Sequence, residues 1–148
     1  LYPDDPWFWL GLAQDELSLD EFEAGAKSML EGLKRKPELM QRMDSRLIRI
    51  ANRSAPGSKA TLSLLRFVLD HDWHSIRARE GDVWKRLALE ELRDGDRAAA
   101  QKALRRIATP DGIIRVRMDK RLDGLYDPAS PAFDVDKVAA YVVQKTGS

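Results

Sequence analysis

The sequence predicts an all-α protein. Three observations predict it. Apolar residues recur every three or four positions through most of the chain. Helix-start residues and Pro or Gly stops fall between these stretches at intervals of a helix length. Only "IIRVRM", residues 113–118, alternates as a strand does, and it fits a helical turn equally.

The first helix opens at Asp5-Pro6, where Asp5 is placed to cap free amides and Pro6 suits a first turn that needs no amide hydrogen. It carries Trp9, Leu12, Ala13 and Leu17 and ends near Ser18. Ser18 and Glu21 are spaced as a capping box for a second helix bearing Phe22, Ala26, Met29, Leu30 and Leu33. Pro37 opens a third helix, about 38–52, with Met40, Met43, Leu47, Ile50 and Ala51 on one stripe. Pro56 and Gly57 break the chain. A fourth helix runs from about Ser58 to Asp70, apolar nearly all round through Leu62, Leu64, Leu65, Phe67, Val68 and Leu69, the pattern of a helix buried between neighbours. "DHDWHSIRAREGD" reads as a short helix and a turn at Gly81. Two further helices follow at about 82–94 and 96–109, with Asp94-Gly95-Asp96 as turn and cap. "DPASPAF" is a loop. A last helix, about 135–145, is capped by Asp134, with Phe133 and Val138 as a hydrophobic staple.

The totals bound the function. The 148 residues are most simply one domain, and 43% hydrophobic with 33% charged residues suits a folded, soluble chain. These residues leave the compartment, cytoplasmic or periplasmic, unknown. No apolar run approaches the ~18 residues of a membrane span. Without Cys there is neither disulfide nor thiolate metal site. The net charge of +1 hides an asymmetry. Residues 1–33 hold eight acids (Asp4, Asp5, Asp15, Glu16, Asp20, Glu21, Glu23, Glu31) and one base, Lys27. Bases gather at Lys34-Arg35-Lys36, at Arg42, Arg46, Arg49 and Arg53, and from Arg97 to Arg121. Two readings follow: a solvated helical surface, or a face that meets an anionic partner.

The chain repeats itself. When Trp9 is aligned with Trp84, Leu12 falls on Leu87, Ala13 on Ala88, Gly25 on Ala100, Met29 on Leu104 and Gly32 on Ile107. Pro37 and Pro110 each lie just past the end of a unit. These residues resemble the tetratricopeptide repeat, a helix-turn-helix unit of about 34 residues. Departures are Glu16 and Glu91 where the family has Tyr, Ile107 where it has a small residue, and Pro110 two residues early. Trp9 and Trp84 are separated by a little over two such periods, so the helices between them form a divergent middle hairpin.

The resemblance implies tandem antiparallel hairpins stacked as a right-handed superhelix, in units of about 5–37, 38–70 and 82–110. The region 111–148 would be a C-terminal cap. "LYPDDP" resembles the link between two such repeats, so the expectation is a segment of a longer array. The family's concave surface grips a peptide or protein. Here that surface would present Gln14, Arg42, Arg46, Arg49, Arg86 and Glu90.

Other chemistries have weaker signals. Asp70, His71, Asp72 and His74 gather both histidines with two carboxylates, but no third ligand has a defined spacing and no HExxH motif occurs. The rival reading is a polar helix end with Trp73 packed against the next unit. No phosphate loop or nucleophile elbow is present, so no enzyme, cofactor or metal is expected. The alternative function is a basic module for nucleic acid using Arg105, Arg106, Arg115, Arg117, Lys120 and Arg121. Against it stand a pI of about 8.2 and the absence of aromatic residues among these bases.

Overall fold

The computed structural model describes residues 4–73 and 80–107. Its elements are α1 (Pro6–Ser18), α2 (Phe22–Arg35), a 3-10 helix (Pro37–Arg42), α3 (Asp44–Arg53), α4 (Lys59–Asp70), α5 (Glu80–Arg93) and α6 (Arg97–Ile107). The described residues are helical and contain no strand, in agreement with the all-α expectation. "IIRVRM", the 135–145 helix and the C-terminal cap lie outside them. The chain divides into two compact units, Leu1–Arg77 and Ala78–Ser148.

In the first unit α1 and α2 form a hairpin with a short connection, Leu19 to Glu21. Asp5 caps α1, accepting from the Trp7 amide at 2.9 Å. Leu10, Ala13 and Leu17 are the buried residues of α1. They meet α2 at two glycines. A Cβ on Gly25 would stand 2.7 Å from Leu17 Cδ2, and one on Gly32 would stand 2.8 Å from Leu10 Cδ2 and 3.1 Å from the Pro6 carbonyl. The absence of side chains there lets the two backbones close on one another.

The expected capping box does not form. Ser18 stays in the last turn of α1 and donates to the Asp15 carbonyl at 2.7 Å. The turn is closed instead by the backbone. Asp20 is left-handed, with φ 59°. The Glu21 amide then reaches back to the Glu16 carbonyl at 2.9 Å, and that of Asp20 to Leu17 at 3.1 Å. This pair of bonds satisfies carbonyls that a helix end leaves free.

The third helix also begins later than its periodicity predicts. Pro37–Arg42 winds as a 3-10 helix, and α3 starts only at Asp44. The tighter winding carries Leu39, Met40 and Met43 into the core at 5%, 4% and 5% exposure. From α3, Leu47 and Ile50 join them, and from α4, Leu64, Leu65 and Val68, all fully buried. Ser58 caps α4 by accepting from the Thr61 amide at 3.1 Å. Glu23 of α2 adds a second cap, accepting from the Ser58 hydroxyl and from the Ala60 amide, the latter at 3.3 Å. One carboxylate thus ties α2 to the positive end of α4.

Helix α4 ends as α1 does, with Asp72 left-handed at φ 52°. The next residue, Trp73, is fully buried and donates its indole N–H to Asp44 Oδ1 at 3.0 Å. This bond stays within the first unit.

In the second unit α5 and α6 form another hairpin. Gly81 lies inside the first turn of α5 rather than in a turn before it. Val83, Trp84, Leu87, Ala88, Ala100 and Ala103 are buried. Gly95 is left-handed at φ 85°. The Asp96 amide reaches the Glu91 carbonyl at 2.9 Å, and Gly95 reaches Leu92 at 3.1 Å. Asp96 caps α6 through the Ala99 amide at 3.0 Å, as the sequence predicts.

Candidate interaction surface

The two hairpins repeat the same connection. Bonds from Asp20 to Leu17, Glu21 to Glu16 and Gly25 to Glu21 recur from Gly95 to Leu92, Asp96 to Glu91 and Ala100 to Asp96. Every one has moved along the chain by the same offset that separates Trp9 from Trp84. Both tryptophans lie under an arginine of their own hairpin's second helix, Arg35 at 5.1 Å from Trp9 and Arg106 at 4.8 Å from Trp84. The arginines are one turn out of register, since Glu31 is the residue aligned with Arg106.

Burial differs between the two. Trp84 and Leu87 are wholly buried. Trp9 is half-buried, and Leu12, expected on a packing stripe, is 38% exposed. Trp7, Phe8 and Leu19 are exposed as well. Leu12 therefore belongs to an outward apolar face of α1, turned away from Leu10, Ala13 and Leu17. Trp7 and Phe8 were not picked out by sequence reasoning. The signal for them is "PWFWLGL", apolar on every side, where one-sided burial needs only a stripe.

The structure draws three of the six expected partner-binding residues, Gln14, Arg42 and Arg49, to the first hairpin. Gln14 is exposed, one heptad on from Trp7 and so on its side of α1. Arg42 is exposed, with its guanidinium 6.0 Å from the Trp7 ring. Arg49 bonds Asp20 at 2.9 Å and lies 5.7 Å from the Phe22 ring. Arg46 of α3 falls between them in the chain, half-buried, 3.8 Å from Met43 Sδ. The arginines thus form a row from the start of α1 to its end.

Arg86 and Glu90 are set differently. They are 9% and 2% exposed and bond each other at 3.0 Å, with Arg93 also on Glu90. Burial lowers the Arg86 pKa below its ordinary value, and the charge of Glu90 opposes that shift. Their charges are engaged inside the second unit.

A cleft of about 690 Å³ lies among α1, α2 and α4, lined by Trp9, Glu16, Lys27, Ser28, Lys59 and Ala60 among others. The acids of its wall hold the unit together. Glu16 accepts from Ser28, Glu23 caps α4, and Glu31 pairs with Arg35 at 3.0 Å. Among the described residues no three His, Asp or Glu side chains are grouped to hold a metal. His71 stacks on Phe67 at 4.0 Å, and its Nδ1 lies 2.9 Å from the Phe67 carbonyl oxygen. His74 lies outside the described residues. Among the described residues no helix is long and apolar enough to cross a membrane. Compared with family models, curated proteins and solved structures, the chain matches none.

Proposed function

We propose that the chain is a protein–protein interaction scaffold of tetratricopeptide-like hairpins stacked as a right-handed superhelix. It binds a peptide or protein segment with Gln14 of the first hairpin and with Arg42, Arg46 and Arg49 of the 3-10 helix and α3 that follow it. The observation that supports this most is the connection repeated, bond for bond, at the offset between Trp9 and Trp84. A chain that rebuilds one hairpin in register is built for stacking, because a single hairpin cannot bury its own apolar side. The arginine row favours an acidic segment, since guanidinium groups pair with carboxylates in two-bond geometry.

The test is fluorescence anisotropy with a labelled Asp/Glu-rich peptide, its Lys/Arg counterpart, and a single-stranded DNA oligonucleotide. The acidic peptide is expected to bind, and Arg46→Glu to weaken it by about tenfold. Failure of the acidic peptide to bind, or binding indifferent to Arg46→Glu, overturns the reading. Tighter, steeply salt-dependent binding of the oligonucleotide supports the nucleic-acid alternative instead.

A further inference from the structure

We infer that the outward apolar face of α1 docks one amphipathic helix of a partner protein, with an apolar ridge edged by Lys and Arg. Phe8 and Leu12 are 38% exposed and lie one turn apart. Leu19 extends their stripe at 70% exposure, and Trp7 flanks it at 48%. At Gly11, in the middle of the face, a Cβ would meet nothing within 4 Å. That flat spot lets a second helix lie close, as small residues do where helices pack.

The sister hairpin shows that this side of the fold is one that becomes covered. Phe8, Gly11, Leu12 and Asp15 align with Val83, Arg86, Leu87 and Glu90. Those four are buried, at 0%, 9%, 0% and 2% exposure. In α1 the same positions are open. A helix lying there would give Phe8 and Leu12 the burial that Val83 and Leu87 have.

Charge selects the occupant. Asp4 and Asp5 are exposed at the end of the face, and Asp15 is exposed within it, one heptad on from Phe8. Glu16, Asp20, Glu23 and Glu31 are engaged elsewhere in the unit and Arg42 lies at the Trp7 flank, so the charge on the face itself is that of Asp4, Asp5 and Asp15. A partner edged by Lys and Arg meets that field favourably. A second copy laid on the same face would set acids against acids, and an anionic lipid surface would be repelled. The occupant is therefore a basic helix.

This surface adjoins the arginine row at Trp7, where Arg42 lies 6.0 Å from the ring. Its probes are therefore also titrated against Arg46→Glu, which weakens binding to the row and leaves this face intact, so either proposal can fail alone. Two labelled peptides of about 18 residues, or five turns, share a leucine stripe and carry either Lys/Arg or Glu on its flanks. The basic peptide is expected to bind, to gain helicity on binding, and to weaken as salt rises. Leu12→Asp should reduce binding by about tenfold or more. Gly11→Arg should do the same by filling the flat spot, and because it replaces glycine within a helix it leaves the chain folded. The inference is overturned if the basic peptide does not bind, if the acidic one binds the Arg46→Glu variant as tightly as the basic one does, or if Leu12→Asp and Gly11→Arg change nothing. It is also overturned by a dimer of the chain that Leu12→Asp abolishes, which assigns the face to a second copy.

Discussion

Asp20 and Gly95 occupy the same left-handed position in two hairpins, at φ 59° and 85°. Each lets the next amide reach back to close its helix. They reach this conformation at different energies. Glycine adopts it freely, whereas Asp carries a steric penalty of about 1 kcal/mol. Asp20 also pairs with Arg49 across an exposed gap, with side chains 68% and 39% accessible. Such a bridge contributes only a few tenths of a kcal/mol.

Gly95→Ala is therefore expected to lower stability by about 1 kcal/mol, because the space around it is open and only the backbone conformation resists. Asp20→Gly should leave stability within about 0.5 kcal/mol of the parent at low salt and raise it once salt screens the bridge. Urea titrations of both variants at two salt concentrations check this. Equal losses in both would contradict it.

Three helical glycines should respond to alanine with different signs. Gly32→Ala drives a methyl against Leu10 and the Pro6 carbonyl and should lose about 1–3 kcal/mol. Gly25→Ala meets mainly the Leu17 side chain and should lose less. Gly11→Ala meets nothing and should gain about 0.5–1 kcal/mol. Thermal melts of the three single variants give the ranking.

The Arg86–Glu90 pair predicts a non-additive result. Glu90→Leu leaves the Arg86 charge buried without that of Glu90 and should cost about 3 kcal/mol. The double variant Arg86→Met with Glu90→Leu should return to within about 1 kcal/mol of the parent, because Arg93, one-third exposed, can turn to water. The sign with pH follows from the lowered Arg86 pKa. The charged form is disfavoured in the fold, so its cost persists at neutral and acid pH and fades only when alkaline pH removes the proton. Chemical denaturation of the four corners of the cycle measures the coupling.

Thr61 Oγ1 is buried, and no described group lies within hydrogen-bonding distance of it. Thr61→Val keeps the shape and removes the unsatisfied hydroxyl. It should raise stability by about 1 kcal/mol. A lower melting temperature would show that the hydroxyl has a partner.

Much of the fold was legible because local rules decide it. Asp5 and Asp96 cap the helices they precede, and the helix starts and stops around them follow. Legibility failed where a distant group outweighed the local one. Ser18 and Glu21 have capping-box spacing, but the left-handed turn at Asp20 closes the hairpin by backbone bonds. Pro37–Arg42 tightens into a 3-10 helix because Leu39, Met40 and Met43 all turn inward. For the candidate surface, the exposure of Phe8 and Leu12 had its sign in the all-round apolar run "PWFWLGL", while the burial of Arg86 had none in its own neighbourhood.

From the residues alone came the helical class, the repeat and its offset, because periodicity, capping and glycine turns act within a few residues of their cause. Tertiary structure alone decided which side of each helix is covered. Burial depends on what other elements bring to that side, and Leu12 and Leu87, alike in spacing, differ for that reason.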